Sequence, residues 1–241
     1  MSNGQDVELP ASPGGSARLR GYLAVPEGIG QWPAVVVAFE AFGLDDTMRE
    51  HADRLARTGY LALIPDLYSD GGARRCLVST IRAMQSGQGR AFVDLETARQ
   101  WLLGRDDCTG RVGCVGFCLG GGFALLLASR GFDAASVNYG PPPKDLESAL
   151  EKACPIVASY PGKDRMLRGV AGRIEAALTA TGTPHDVREY PRAGHSFLNQ
   201  TWNGPVLIRP LLRLTGAGPE PAAAGDAWRR IGEFFDAQLR G

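Results

Sequence analysis

A cysteine between two closely spaced glycines is the first feature of this sequence with clear chemical potential. Gly116, Cys118 and Gly120 form a G-x-C-x-G pattern, preceded by the apolar, β-prone run Val112–Phe117 and followed by the apolar run Phe123–Ala128. The pattern is the cysteine form of a nucleophile elbow, in which glycines let the backbone pack tightly around a strained strand-to-helix turn. A helix N-terminus also favours thiolate over thiol. The alternative is a buried strand cysteine before a glycine turn.

A thiol nucleophile needs a base, and the chain has only three histidines from which to choose. His51 falls inside a helical pattern beside Glu50, which predicts a solvated position. His185 opens a strand at its amino end, on the wrong side of a parallel sheet. His195 lies in the loop that leaves the last predicted strand at its carboxyl end, so we predict that it is the base.

The acid that would orient this histidine is predicted from its place in the chain. Asp164 follows a predicted strand in the tight turn Gly162-Lys-Asp. An Asx-turn residue would be common in such a turn, and this is the alternative interpretation. The order Cys118, Asp164, His195 is the nucleophile, acid and histidine order of the α/β-hydrolase fold. The three residues together are far more specific than any one of them.

Bringing these residues together requires a sheet whose loops meet at one edge. Continuous apolar runs are typical of parallel strands covered on both faces. The alternation of such runs with helical patterns predicts a doubly wound, mostly parallel sheet with helices on both faces. Ligands bind such sheets beyond the carboxyl ends of the strands. Strands are predicted at Leu19–Val25, Pro33–Phe39, Tyr60–Ile64, Val112–Phe117, Ala134–Tyr139, Ile156–Tyr160 and His185–Tyr190.

Helical patterns and irregular segments fill the rest of a single predicted domain, residues 1–241. The capping box Thr47–Glu50 opens a helix that ends at Gly59, and Asp226 is predicted to cap a last amphipathic helix through Leu239. Apolar residues also recur at helical spacing over 92–102 and 167–178. Residues 1–16 are predicted to be a loose lead-in, 69–90 a loop with a short helix that covers a site, and 199–225 an elaborated loop containing the apolar stretch Val206–Leu214.

The amino-acid composition limits the binding partners and the cellular compartment that we expect for this protein. Lys plus Arg and Asp plus Glu each total 26, which gives no electrostatic argument for nucleic acid or an anionic membrane. The five cysteines include no C-x-x-C pair, so neither a disulfide framework nor a zinc site is indicated. No stretch has signal-peptide or membrane-spanning character. We expect a cytoplasmic protein, monomer or homodimer, that needs no metal or cofactor.

A glutamate and several aromatic residues are further candidates for the site. Glu40 directly follows an apolar strand, where an unpaired carboxylate would be costly to bury. It therefore faces a pocket or has a partner, and the alternative is a structural link to Arg49 or another arginine. Four aromatic residues near strand ends are candidates for pocket walls, although such residues are more often core: Phe42, Tyr139, Phe197 and Trp202.

Five stretches together resemble the dienelactone hydrolase (carboxymethylenebutenolidase-like) family of α/β hydrolases. They are Phe39–Leu44, Met48–Glu50, Gly59–Tyr68, Val115–Gly121 and Ala193–Phe197. The resemblance covers the chain from about Gly21 to Phe197.

The resemblance implies a role for each matching residue. It implies a triad of Cys118, His195 and Asp164, and a Glu40 that contacts the resting thiol and takes part in its activation. It also implies an oxyanion hole built from the backbone N–H groups of Leu119 and Ala41.

Two departures from the family pattern bear on the substrate. Well-studied members bind a substrate carboxylate with arginines, one of them four residues after the histidine, where this chain has Asn199. A second arginine comes from a loop that here holds Arg74 and Arg75, with Arg82 a further candidate. A different lactone or ester is therefore compatible with the pattern.

The predicted function is a cofactor-free, cysteine-dependent hydrolase of a small lactone or ester, acting through an acyl-enzyme on Cys118. Two alternatives use the same site. One is acyl transfer to a biosynthetic acceptor instead of water. The other is a non-catalytic protein that binds a small molecule.

Overall fold

An eight-stranded sheet is the centre of this computed structural model, which describes residues 3–202 and 217–241. The spatial order is β1-β2-β4-β3-β5-β6-β7-β8. The strands from β4 to β8 in that order pair in parallel, whereas β1 and β2 pair antiparallel. The strands are β1 Asn3–Glu8, β2 Arg20–Val25, β3 Trp32–Ala38, β4 Leu61–Pro65, β5 Cys108–Phe117, β6 Ala135–Asn138, β7 Ile156–Pro161 and β8 His185–Tyr190. The predicted mostly parallel sheet is confirmed.

Helices cover the sheet on both sides. In β3 the consecutive residues 34–37 are all fully buried. Because neighbouring side chains of a strand point to opposite faces, such continuous burial means that both faces are covered. The helices are α1 Asp46–Arg57, α2 Ala73–Ser86, α3 Arg90–Leu103, α4 Leu119–Leu127, α5 Leu146–Leu150, α6 Val170–Thr181 and a C-terminal helix, Pro221–Leu239, with a single 3₁₀ turn at Arg165–Leu167. No helix within these described residues is both long and apolar enough to span a membrane.

The parallel strands bring four chain-distant loops to one edge. Strands β3, β5, β7 and β8 end at Ala38, Phe117, Pro161 and Tyr190. Since they run in the same direction, the segments that follow them all leave from the same edge of the sheet. These segments contain the residues predicted to act in the site.

The lead-in predicted for residues 1–16 is wrong for the residues that the structure describes. Asn3–Glu8 is an edge strand that pairs with β2 along its length. Ser16 is buried, and its backbone N–H and its hydroxyl each donate to the Asp94 carboxylate at 2.7 Å. An edge strand needs no apolar face of its own when its backbone pairs with a neighbour, so its polar sequence did not reveal it.

Two helices also differ from prediction. The segment 69–90 holds the full helix α2 in place of a short one. The C-terminal helix begins at Pro221, where Glu220 accepts from the Ala223 N–H, so Asp226 lies inside it. Proline at the first helical position is a start signal that the Asp226 prediction overlooked. The apolar stretch Val206–Leu214 lies outside the described residues.

Candidate active site

Cys118 occupies the turn predicted from the G-x-C-x-G spacing. It is the N-cap of α4, with φ 53° and ψ −117°, a conformation that is strained for a residue with a Cβ. A Cβ added to Gly116 would lie 1.9 Å from the Gly120 carbonyl oxygen, and one added to Gly120 would lie 2.0 Å from the Ala38 carbonyl oxygen. Both glycines are thus required by backbone contact.

Asp164 and His195 are paired across the ends of β7 and β8. The His195 Nδ1 atom lies 2.6 Å from Asp164 Oδ2, while the Met166 N–H donates to Asp164 Oδ1 at 2.9 Å. Asp164 is therefore both the turn residue and the carboxylate that orients the imidazole. Burial alone would raise the pKa of Asp164, but the hydrogen bond and charge of His195, with the Met166 N–H, lower it below its usual value.

The His195 side chain lines the same cavity as Cys118. Burial by itself would lower the pKa of His195. The hydrogen bonds with Asp164 and Cys118, together with the negative charges of Cys118 and Glu40, outweigh burial and raise the pKa of His195 to about 10. A proton on His195 at neutral pH is therefore favoured, beside a sulfur that can carry the negative charge.

Glu40 is buried, with 1% of its surface exposed, and accepts a hydrogen bond from Asn199 Nδ2 at 3.3 Å. Its charge also reaches Tyr139, whose pKa is raised first by burial and then by the charges of Glu40 and Cys118. Arg49, the alternative partner considered for Glu40, instead donates to Asp6 at 2.7 Å. Glu40 thus faces the site in the manner expected of a pocket carboxylate.

One cavity of about 160 Å³ joins most of the predicted residues. Its wall combines a thiol, an imidazole and a carboxylate with aromatic and small residues. The lining residues are Glu40, Ala41, Phe42, Cys118, His195, Ser196, Asn199, Thr201, Trp202, Ala217 and Gly218. Residues from the segments that follow β3, β5 and β8 therefore meet in one space.

Several predicted substrate contacts lie elsewhere. Phe197 is fully buried behind the wall, where its ring centroid lies 5.6 Å from that of Tyr139. Tyr139 is also fully buried, and its ring packs against His195 at 5.1 Å. Arg74 and Arg75 are exposed in the first turn of α2 and are not among the residues that line this cavity. Arg82 is exposed and lines a separate cleft.

The two residues predicted to form an oxyanion hole are Leu119, next to Cys118 in the chain, and Ala41, which lines the cavity. Leu119 is the first residue of α4, so its N–H is one of those that no carbonyl within the helix can accept. Ala41 lines the same cavity as Cys118. The Tyr68 hydroxyl donates to the Ala41 carbonyl at 3.0 Å, which fixes the loop that carries this second N–H.

Backbone strain is concentrated at this site. Among the described residues, positive φ outside glycine occurs at Cys118, at Tyr139 with φ 43° and at Ser196 with φ 60°. Such conformations cost roughly 1–3 kcal/mol each and persist where the surroundings impose them. Ser196 lines the cavity and was not singled out from the sequence.

The solvated position predicted for His51 is wrong. His51 is 2% exposed, not solvated, and its Nε2 lies 2.9 Å from Asn199 Oδ1. The signal was available, since Met48, His51 and Leu55 recur at helical spacing and all lie on the buried face of α1.

The chain is similar to known proteins in family, sequence and fold. The family model described as the dienelactone hydrolase family matches residues 19–239. A carboxymethylenebutenolidase of Pseudomonas putida is 31% identical, over 72% of this chain and 78% of that protein. A carboxymethylenebutenolidase of Rhodococcus opacus is 29% identical, over 90% of this chain and 86% of that protein.

A solved structure agrees on the fold. The crystal structure of a dienelactone hydrolase from Anabaena variabilis superimposes with a TM-score of 0.72 at 23% identity, covering 99% of both chains. The fold is therefore that of the α/β hydrolases.

Proposed function

Because this chain belongs to the dienelactone hydrolase family of ester and lactone hydrolases, we propose that it hydrolyses a small lactone or ester through an acyl-enzyme on Cys118. The observations that carry the proposal are that Cys118 and His195 line one cavity and that the His195 imidazole contacts the Asp164 carboxylate at 2.6 Å. The two carboxymethylenebutenolidases described above support a lactone as one substrate class.

The first half-reaction uses the proton that His195 already holds. The Cys118 thiolate attacks the carbonyl carbon, a C–S bond forms, and the oxyanion accepts hydrogen bonds from the N–H groups of Leu119 and Ala41. Collapse of this intermediate breaks the C–O bond, and His195 gives its proton to the leaving oxygen. One well-placed oxyanion donor lowers such a barrier by about 3–4 kcal/mol.

The second half-reaction returns the enzyme to its starting state. Neutral His195 takes a proton from water as the water oxygen attacks the thioester carbonyl. The C–S bond then breaks, the acid is released, and Cys118 leaves as a thiolate beside the protonated imidazole. Asp164 keeps the imidazole oriented and stabilises its charge throughout.

The cavity supports a small substrate. Pockets for drug-sized ligands measure about 300–1,000 Å³, whereas this cavity holds about 160 Å³. Phe42 and Trp202 line the cavity and offer aromatic surface to a substrate. A short acyl chain or a single lactone ring matches this volume.

The nucleophile is tested by hydrolysis of p-nitrophenyl acetate and of a dienelactone. Cys118→Ala should lower kcat by at least about 10³-fold, since loss of a triad nucleophile removes the covalent route. Cys154→Ala is the matched control, because Cys154 is also a partly exposed free cysteine but does not line the cavity. Equal rates in Cys118→Ala and wild type would remove Cys118 as the nucleophile.

Water as the acyl acceptor is tested by product analysis. The free acid should be the sole product when alcohols, amines and thiols are added at millimolar concentration. An ester, amide or thioester product that replaces the acid would instead identify an acyltransferase on the same residues.

A further inference from the structure

A buried polar chain runs away from the cavity behind Glu40. The Asn199 side chain donates from Nδ2 to Glu40 Oε1 at 3.3 Å, and its Oδ1 lies 2.9 Å from His51 Nε2. Both Asn199 and His51 are 2% exposed. A residue of α1 is thereby connected to the reacting groups through two hydrogen bonds.

The direction of each hydrogen bond in this chain is determined by its acceptors. An ionised carboxylate only accepts, so the Asn199 group that faces Glu40 must be the amide NH₂. The Asn199 carbonyl oxygen then faces His51, and because that oxygen also only accepts, His51 Nε2 must carry a proton. Donation therefore runs from His51 to Asn199 to Glu40.

Aromatic packing holds the His51 ring in a single plane. The ring stacks on Phe117 at 4.5 Å and 30°, and Trp228 packs near it at 5.1 Å and 53°. Two flat neighbours leave the ring little freedom to turn, so its Nε2–H stays aimed at Asn199. Burial, with a smaller effect from the Arg54 charge, lowers the pKa of His51 to about 4 despite the Asn199 hydrogen bond, so the imidazole is neutral.

We propose that His51 and Asn199 are positioning residues, two neutral side chains whose hydrogen bonds fix the Glu40 carboxylate beside Cys118 and His195. This inference rests on the proposed function, in which Glu40 supports the thiolate–imidazolium pair. The negative charge of Glu40 acts on His195, and that action depends on where the carboxylate is held. Loss of either hydrogen bond would weaken the hold on the Glu40 carboxylate and, with it, this electrostatic support.

The test is a double-mutant cycle read out by alkylation of Cys118. Cys118 is labelled with iodoacetamide at pH 7 and quantified by peptide mass spectrometry, and kcat and KM are measured with p-nitrophenyl acetate. His51→Leu and Asn199→Leu should each lower the alkylation rate and kcat roughly tenfold, with KM nearly unchanged, because a hydrogen bond that orients a charged group is lost.

Coupling to Glu40 distinguishes positioning from a structural role. In a Glu40→Gln background, His51→Leu and Asn199→Leu should have less than a twofold further effect, because the charge that they position is gone. His51→Gln should recover most of the lost rate, since its amide can donate at the place of Nε2–H. His185→Leu, at a histidine away from the cavity, should behave as wild type.

Additive effects in the Glu40→Gln background would overturn the proposal, as would failure of His51→Gln to recover the rate. If His51→Leu does not fold, judged by circular dichroism, the Asn199→Leu and Glu40→Gln cycle gives the same answer. The alkylation readout does not require hydrolysis. An active Cys118→Ala variant would therefore reject the proposed function, while an additive cycle with an inactive Cys118→Ala would reject only the positioning role.

Discussion

At the scale of single residues, the site is organised by groups that change one another's protonation. The pKa of His195 is raised to about 10 and that of Asp164 is lowered, because each charged form is the preferred partner of the other. In the proposed mechanism His195 therefore enters the reaction as an acid. Its proposed work as a base belongs to the second half-reaction, after it has lost its proton to the leaving group.

This pairing predicts a definite dependence of stability on pH. A histidine whose pKa is raised on folding stabilises the protein fully below its unfolded pKa of about 6.5, and the effect is lost as pH rises through about 10. A carboxylate with a lowered pKa contributes above an unfolded value of about 4 and loses that contribution as pH falls. The combined stabilisation is therefore largest between about pH 4 and 6.5.

The measurement is the difference in thermal midpoint between wild type and His195→Gln from pH 4 to 10. The difference should be largest near pH 5–6 and shrink steadily towards pH 10. In an Asp164→Asn background the same substitution should show a much weaker pH dependence, because the main favourable partner is gone. A difference that grows with rising pH would contradict the assignment.

The three residues proposed as the triad could be predicted because the sequence directly around each of them indicates its position. Cys118, Asp164 and His195 each lie in the segment that follows a predicted strand, so a pattern in the sequence gives both the residue and its edge of the sheet. The contacts behind them are not local, since His51 and Asn199 lie 148 positions apart. Nothing within α1 indicates which residue of a distant loop will meet His51.

At the scale of helices and strands, the apolar content of a segment largely determined whether it could be predicted from the sequence. The strands β3 to β7 were all predicted, because strands covered on both faces contain continuous apolar runs. The strand β8 was also predicted, although it is only partly buried and largely polar. The polar edge strand β1 was not predicted, since its pairing depends on backbone groups that every residue has. Arg74 and Arg75 were assigned to the site by resemblance, whereas in α2 they are exposed and do not line the cavity.

Alanine substitutions at two glycines within helices should have opposite effects on the stability of the protein. In Gly120→Ala the new Cβ would meet the Ala38 carbonyl oxygen at 2.0 Å, so the backbone must move and we expect a loss of at least about 1–3 kcal/mol in the free energy of unfolding. In Gly232→Ala, within the C-terminal helix, nothing lies within 4 Å of the new Cβ. There the better helix propensity of alanine should add about 0.5–1 kcal/mol.

Urea unfolding of both variants provides the measurement, with activity as a second readout. Gly120→Ala should also reduce p-nitrophenyl acetate hydrolysis, because Gly120 sets the turn that carries Cys118. Should Gly120→Ala prove as stable as wild type, the close approach of α4 to the end of β3 would be wrong.

At the scale of the whole molecule, the C-terminal helix connects the sheet to the back of the site. Trp228 packs against His51 and donates from its indole N–H to the Leu198 carbonyl at 3.3 Å. Arg230, 3% exposed, donates to the Asp186 carboxylate at 2.8 Å and to the Ser159 hydroxyl at 3.1 Å. The last segment of the chain is thus fastened to β7 and β8, beside the loops that carry Asp164 and His195.

These contacts predict that substitutions of two adjacent arginines will differ greatly in their effect on the free energy of unfolding. Arg230→Leu leaves several buried acceptors without a donor, and we expect a loss of about 2–4 kcal/mol in the free energy of unfolding. Arg229→Leu removes an arginine whose side chain is 53% exposed and whose partners, Asp226 and Glu233, are its neighbours on the same helix. Such surface pairs contribute little, so its thermal midpoint should match that of wild type. Equal destabilisation by the two substitutions would mean that helix charge, and not the buried contacts of Arg230, holds the C-terminal helix against the sheet.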